Sequence, residues 1–278
     1  MSASTRSAGG LAAPLRPRPG AATPLSACLR STGALILREI ATRYGRTPGG
    51  FLWAILEPVA AVLVLTFALS LVVHAPSLGE NFVTFYASGY LPFLFYATLQ
   101  GHVQQALGFS RPLLIYPVVS WIDTVLARFV LNALVGLVVT GVVLFGLAQA
   151  TGDVEVVRAD RLLLSLGLGA VLGLGLGVLN CFAMGMFPVW GQVWAILSRP
   201  LFLVAGVIFV MEDLPQDLRD VLWWTPWIHI TGLFRSGLYH GYDPGYVSVL
   251  LVLFWALVPL ALGLALLHRY HRDILQMG

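Results

Sequence analysis

The chain alternates between long apolar runs and short polar breaks that carry Arg, Asp or Glu. Six runs, 53–73, 82–107, 125–148, 162–186, 193–211 and 246–267, approach or exceed the roughly 18–20 apolar residues a helix needs to cross a ~30 Å hydrocarbon core. None of them alternates with the period of two that a strand of an outer-membrane barrel requires. The pattern predicts an all-α integral membrane protein with six transmembrane helices over 53–267, the fifth being the shortest. Ahead of them, Leu25, Leu29, Ile36 and Ile40 fall on one face at 100° per residue. That predicts a surface-lying amphipathic helix to about Tyr44 within 25–52, then a bend at Gly49-Gly50 before the first span. Residues 1–24 hold no 7–15-residue apolar core, so they are not a secretory signal, and their Ala/Pro/Ser/Arg composition predicts a disordered tail.

Charge placement orients this frame. Of the 278 residues only 10% are charged, 58% are hydrophobic, and mean hydropathy is +0.84. All 16 basic residues are Arg. Arg6, Arg16, Arg18, Arg30, Arg38, Arg43 and Arg46 precede the first run. Arg111, Arg128, Arg199, Arg269 and Arg272 fall on the same side by the six-span count, against Arg158, Arg161, Arg219 and Arg235 on the other. The excess predicts cytoplasmic termini, with 268–278 a cytoplasmic tail. The opposite side is acidic by comparison: Glu80, Asp153, Glu155, Asp160, Glu212, Asp213, Asp217, Asp220 and Asp243.

Four stretches stand out. The connection 108–124, predicted cytoplasmic, is short and apolar, with Pro112 and Pro117 bracketing Leu113, Leu114, Ile115 and Tyr116. It reads either as a short helix that docks into a partner's groove or as a turn lying on the bilayer. The second span carries Phe82, Tyr86, Tyr90 and Phe93 on one face, a platform for the C–H faces of sugars or an ordinary packed or lipid-facing stripe. Its end carries Gln100, His102, Gln104 and Gln105, which suit a hydrated mouth or an interface. The segment 212–245 is amphipathic, with Trp223, Trp224 and Trp227 around Pro226. It reads as two short helices dipping back from the outer surface as a gate, or as an aromatic belt. Gly169, Gly173 and Gly177, spaced by four in the fourth span, allow close helix contact.

The residue inventory excludes much chemistry. Without Lys the chain carries no Walker A phosphate loop, no Schiff-base lysine and no Ser-Lys pair, so any ATP it depends on is bound by another chain. Cys28 and Cys181 lie in unlike regions, which predicts neither a disulfide nor a metal site. The six His residues show no zinc spacing, and no Ser sits in a G-x-S-x-G context. The remaining oddity is Glu57-Pro58 inside the first span, where a carboxylate is costly unless paired.

The stretch RYGRTPGGFLWAILEP (43–58) resembles the permease subunits of ATP-binding cassette polysaccharide exporters, nearest the KpsM/Wzm group that exports capsule or O-antigen glycans. The likeness continues through SRPLLIYPVVSWIDTVLAR (110–128) and through 199–239, so it covers most of 35–245. It implies the type-2 exporter fold, a dimer of two copies around a conduit, and two copies of a separate ATPase that holds ATP and Mg. This chain itself would bind no cofactor. By the same resemblance Arg111, Pro112, Leu113, Leu114 and Tyr116 form the helix that docks on the ATPase, and the surface helix with Arg38 and Arg43 is a second contact. Arg46, Trp53, Glu57 and Pro58 stand at the cytoplasmic entrance, Glu57 pairing with Arg43 or Arg46. Phe82, Tyr86, Tyr90 and Phe93 line the substrate pathway. Trp223, Trp224, Trp227, His229 and Arg235 form the outer gate. The chain departs from the family pattern in Thr225-Pro226 before His229, in Gly232 where Glu is expected, and in Ala205-Gly206.

The resulting expectation is a non-enzymatic permease subunit, in the bacterial inner membrane, for a lipid-linked capsular polysaccharide. Periplasmic and outer-membrane export proteins are further expected partners, and nucleic acid is not. The rivals are a type-2 exporter of O-antigen, teichoic acid, lipid or drug, a membrane-bound acyl- or glycosyltransferase, and a structural membrane component.

Overall fold

A computed structural model of the chain describes residues 24–43, 50–71, 75–114, 119–152, 154 and 156–276. Residues 1–23 of the predicted tail 1–24, Arg46 and Tyr116 lie outside the described residues, as does the side chain of Arg43, while Pro24 opens α1. The regular elements of the described residues are all helical, in the order α1 (Pro24–Arg43), α2 (Gly50–Ser70), α3 (Phe82–Gln104), α4 (Ala106–Leu114), α5 (Trp121–Thr151), α6 (Ala159–Met186), α7 (Trp190–Ser198), α8 (Leu201–Val204), a 3₁₀ turn (Met211–Asp213), α9 (Gln216–Leu222), α10 (Pro226–Leu238) and α11 (Val249–Gln276).

Among the described residues, five helices are long and apolar enough to cross a membrane: Leu52–Ser70, the nearly continuous α3–α4 (Phe82–Leu114), α5, α6 and α11. They match five of the predicted spans, with ends displaced by up to nine residues, most at the ends of α4 and α11. At the start of α3 the Asn81 side chain accepts from the Val83 N–H. At the start of α5, Ser120 and Asp123 form a reciprocal capping box that satisfies donors the helix leaves open. Because α11 runs on to Gln276, the expected tail 268–278 is largely helical.

Lipid tails offer helices no hydrophobic incentive to associate, so close packing has to hold the bundle. Glycines provide it here. Gly173 faces the Leu99 Cβ and Gly177 the Val103 Cβ on α3; a Cβ added there would lie 3.1 Å and 2.7 Å away. The four-residue glycine spacing therefore marks the α3–α6 seam. Gly175 and Gly263 similarly bring α6 and α11 into backbone contact at Ala256 and Leu179.

The predicted fifth span, 193–211, is not one helix. It is α7, a break at Arg199-Pro200, α8, and then the irregular segment 205–210. Pro200 has no N–H to give to the carbonyl a turn earlier, although both break residues keep right-handed helical torsions. Gly206, at φ +70°, then ends the helix in the left-handed conformation that glycine adopts without strain. The chain nevertheless runs from one end of the bundle to the other between 190 and 207. The Trp190 indole donates to Asn180 Oδ1 (2.7 Å) near the end of α6, where Gly185 meets Ile274 of α11. At the far side, Val207 lies against Gly89, in the second turn of α3.

Candidate functional site

At the α4 end of the bundle, one guanidinium joins four elements. Arg128, in the second turn of α5 and 5% exposed, lies 3.5 Å from the carboxylate of Glu39 on α1, itself 4% exposed. The same side chain donates to the His102 carbonyl of α3 (3.0 Å) and lies 4.1 Å above the Phe109 ring of α4. Arg38 of α1 reaches that ring from another side, at 5.9 Å. A charge pair this deeply buried is retained only when its polar groups are satisfied, and here the carbonyl and ring share the task. The helix α1 is therefore docked onto α5 through a buried ion pair. Sequence reasoning placed Arg38 here but missed Glu39, Arg128 and Phe109, which lie on three separate elements and share no local spacing.

A second tie between α1 and α5 is Cys28 beside Asp123. The buried Asp123 carboxylate pushes the thiol's pKa up, first by accepting its hydrogen bond and then, after desolvation, by its charge. Cys28 is accordingly expected to react with iodoacetamide at pH 8 more slowly than an ordinary exposed thiol, and Asp123→Asn is expected to speed it. Equal alkylation rates in the two proteins would contradict this contact.

Of the predicted docking residues, Pro112 is exposed and Leu113 and Leu114 are half-buried at the end of α4. Arg111 is not free for a partner: it donates to the Leu275 carbonyl of α11 at 2.8 Å. Next to it, α4 and the ends of α6 and α11 frame a cleft of about 730 Å³, lined by Gln104, Phe109, Arg111, Met184, Met186 and Ile274.

The predicted α3 strip divides into two groups of touching rings, Phe82 with Tyr86 and Tyr90 with Phe93, the second bridged by a residue the spacing did not reveal. Phe202 of α8 meets Tyr90 and Phe93 edge-on, with ring centres 6.3 Å and 5.8 Å apart. Phe93 continues to Tyr96, and Tyr96 to Trp227 of α10. Tyr86 is buried against Phe82 and Phe85, whereas Phe82, Tyr90 and Phe93 stay half-buried. On the neighbouring α2, Trp53 and Glu57 are exposed and Pro58 is buried. Glu57 forms no ion pair with any described residue.

At the α10 end, the predicted gate residues divide. Trp224 is exposed. Trp223 donates to the Tyr246 carbonyl at 3.0 Å. Buried His229 is fixed as one tautomer: the Ser248 N–H donates to Nδ1 (3.2 Å), so Nε2 carries the proton that it gives to the Trp223 carbonyl (2.7 Å). Burial lowers the pKa of this imidazole, with the carbonyls of Trp223 and Tyr246 opposing. Arg235, 1% exposed, is an internal brace. It donates to the carbonyls of Phe209 (2.7 Å) and Val207 (3.0 Å) and to Ser88 Oγ (3.3 Å), over the Phe85 ring at 4.4 Å. Five donors in a fixed fork suit that task, which a lysine does poorly.

Five long apolar helices among the described residues, with a buried charge hub joining α1, α3, α4 and α5, describe a helical membrane protein. The chain belongs to the ABC-2 type transporter family, which it matches over residues 30–239. It is similar to the polysialic acid transport protein KpsM of Escherichia coli, with 32% identity over 84% of this chain and 90% of that one. It is also similar to the capsule polysaccharide export inner-membrane proteins CtrC of Neisseria meningitidis serogroup A (31%) and BexB of Haemophilus influenzae (27%). Each of those alignments covers 88% of this chain and 92% of the relative.

Proposed function

We infer that this chain is the transmembrane permease subunit of an ATP-driven exporter that carries capsular polysaccharide across the bacterial inner membrane. The observation that carries this reading is its similarity, over 84–88% of the chain, to a polysialic acid transport protein and to two capsule polysaccharide export inner-membrane proteins. The missing Lys assigns nucleotide binding to a separate ATPase subunit, present in two copies with ATP and Mg.

The kinked α7–α8 and the segment to Val207 form a fifth crossing, which gives six in all and places both termini on one side. The Arg-rich end, with α1 and α4, is the cytoplasmic one. There the exposed end of α4 and the surface of α1 receive the ATPase. The Glu39–Arg128–Phe109 hub makes these two contacts move together and passes the motion to α5 and α3. A backbone interrupted at membrane depth requires protein or water beside it, and α7 and α8 bury no side chain of their own. A second copy of the chain supplies that cover and closes a conduit lined by α2, α3 and α7–α8. A glycan slides along the half-buried rings of the α3 strip, whose many similar weak contacts set no preferred register. It leaves past α9 and α10, which dip from the periplasmic surface.

Purification of the tagged chain from its native host, under mild extraction, tests this reading. A P-loop ATPase in equal amount is the expected companion. Intact chain recovered without any ATPase would overturn it.

A further inference from the structure

Two charged side chains stand at the middle of the bundle with no partner among the described residues. Arg199 lies three residues before Phe202, which packs on Tyr90 and Phe93 of α3. Because α7–α8 runs against α3, those three residues, ~4.5 Å of helix rise, set Arg199 level with about residues 93–96 of α3. Glu57, on α2, lines a small cavity with Leu94, Phe95 and Thr98, which is the same level. Both residues are exposed on the single chain, and neither makes an ion pair within 4.0 Å. No other charged side chain of the described residues lies between Arg128 at one end and Arg235 at the other. The sequence pattern set Arg199 at a membrane surface; the packing of Phe202 moves it to mid-depth.

An isolated charge at this depth is held only by an opposite charge or by water. We propose that Glu57 of one copy and Arg199 of a second copy form an ion pair across the dimer interface at the middle of the membrane. This rests on the reading of the protein as a dimer whose fifth crossing is α7–α8. Three features select the second copy. The charges are complementary and level. Within one chain they sit on different helices and make no ion pair with each other. They also sit on elements left open by their own chain: α7 and α8 bury nothing, and Glu57 lies on the outward face of α2. In a two-fold dimer the contact occurs twice, so two such pairs tie the halves together beside the α3 strip. Separating the halves for the glycan breaks both pairs, and the emptied conduit reforms them. The arrangement is thus a charged latch that closes the conduit after each passage and returns it to the state that accepts the next glycan, so export fails when the pair cannot form.

The test uses full-length chains in native membranes, with Cys28 and Cys181 replaced by Ala and two different tags on two co-expressed copies. One copy carries Glu57→Cys and the other Arg199→Cys. A short bifunctional thiol reagent joins them, since a Glu–Arg pair keeps its backbones beyond the about 4.4–6.8 Å Cα spacing of a disulfide. The expected product carries both tags. In parallel, Glu57→Arg and Arg199→Glu alone are each expected to lower surface glycan at least tenfold at equal protein level, and the double exchange to restore at least half of it. No two-tag product, together with a double exchange no better than the single variants, overturns the latch. Rescue of Glu57→Arg by Arg46→Glu instead also overturns it and assigns Glu57 to the entrance. Co-purification of the two differently tagged parent copies separates the readings: if they part, the dimer itself is wrong; if they stay together while the cross-link and the rescue both fail, the latch alone is.

Discussion

Replacing Arg235 by methionine is expected to lower the unfolding midpoint of the detergent-purified protein more than any other single change at the α10 end. Methionine fills much of the space but donates nothing. The carbonyls of Val207 and Phe209 would then stand buried without donors, at about 1–3 kcal/mol each. Relief from burying a cation, which has no carboxylate in hydrogen-bond contact, offsets part of that. The net loss is expected to be about 2–4 kcal/mol. Because the lost bonds hold 205–210 against α3, protease added from the outer side should also cut near Glu212–Arg219 sooner. Arg235→Lys should recover little, since one ammonium cannot span both carbonyls and the Ser88 hydroxyl. A methionine variant as stable and as protease-resistant as the parent would show that the brace is idle.

Glu39→Ala is the second large effect, and it separates coupling from stability. Removing one partner of a buried ion pair leaves the other charge uncompensated, typically at about 3–5 kcal/mol. Arg128 keeps the His102 carbonyl and the Phe109 ring, so the lower end of that range applies. The double variant Glu39→Ala/Arg128→Met, with no charge left to strand, should be more stable than Glu39→Ala alone. Export should fall in both, because α1 no longer pulls on α5. A double variant that exports like the parent would break the link between the hub and transport, whatever its stability.

Much of the frame is legible in the sequence because it follows from local rules. Length and hydropathy place the five continuous spans. Spacing by four places the glycine seam and the α3 rings. The composition at Ser120–Asp123 caps α5. The broken helix was also written there, in Pro200 and in Gly206, but its apolar neighbours mask the interruption when only hydropathy is followed. What the sequence conceals is contact between distant elements. Glu39 and Arg128 look like two ordinary surface charges until α1 lies on α5. Arg235 reads as a gate residue because its burial depends on where 205–210 passes. Arg199 reads as a surface charge until Phe202 is seen against Tyr90 and Phe93. Phe202 itself completes the aromatic seam from a helix of four residues that no periodicity marks.

The most direct test of the central claim is the location of capsular glycan in the native host after this gene is deleted and then restored in trans. The account predicts that polymer disappears from the cell surface, accumulates inside the inner membrane, and returns to the surface when the intact chain is supplied. Surface glycan unchanged by the deletion, or lost without internal accumulation, would contradict a role in export.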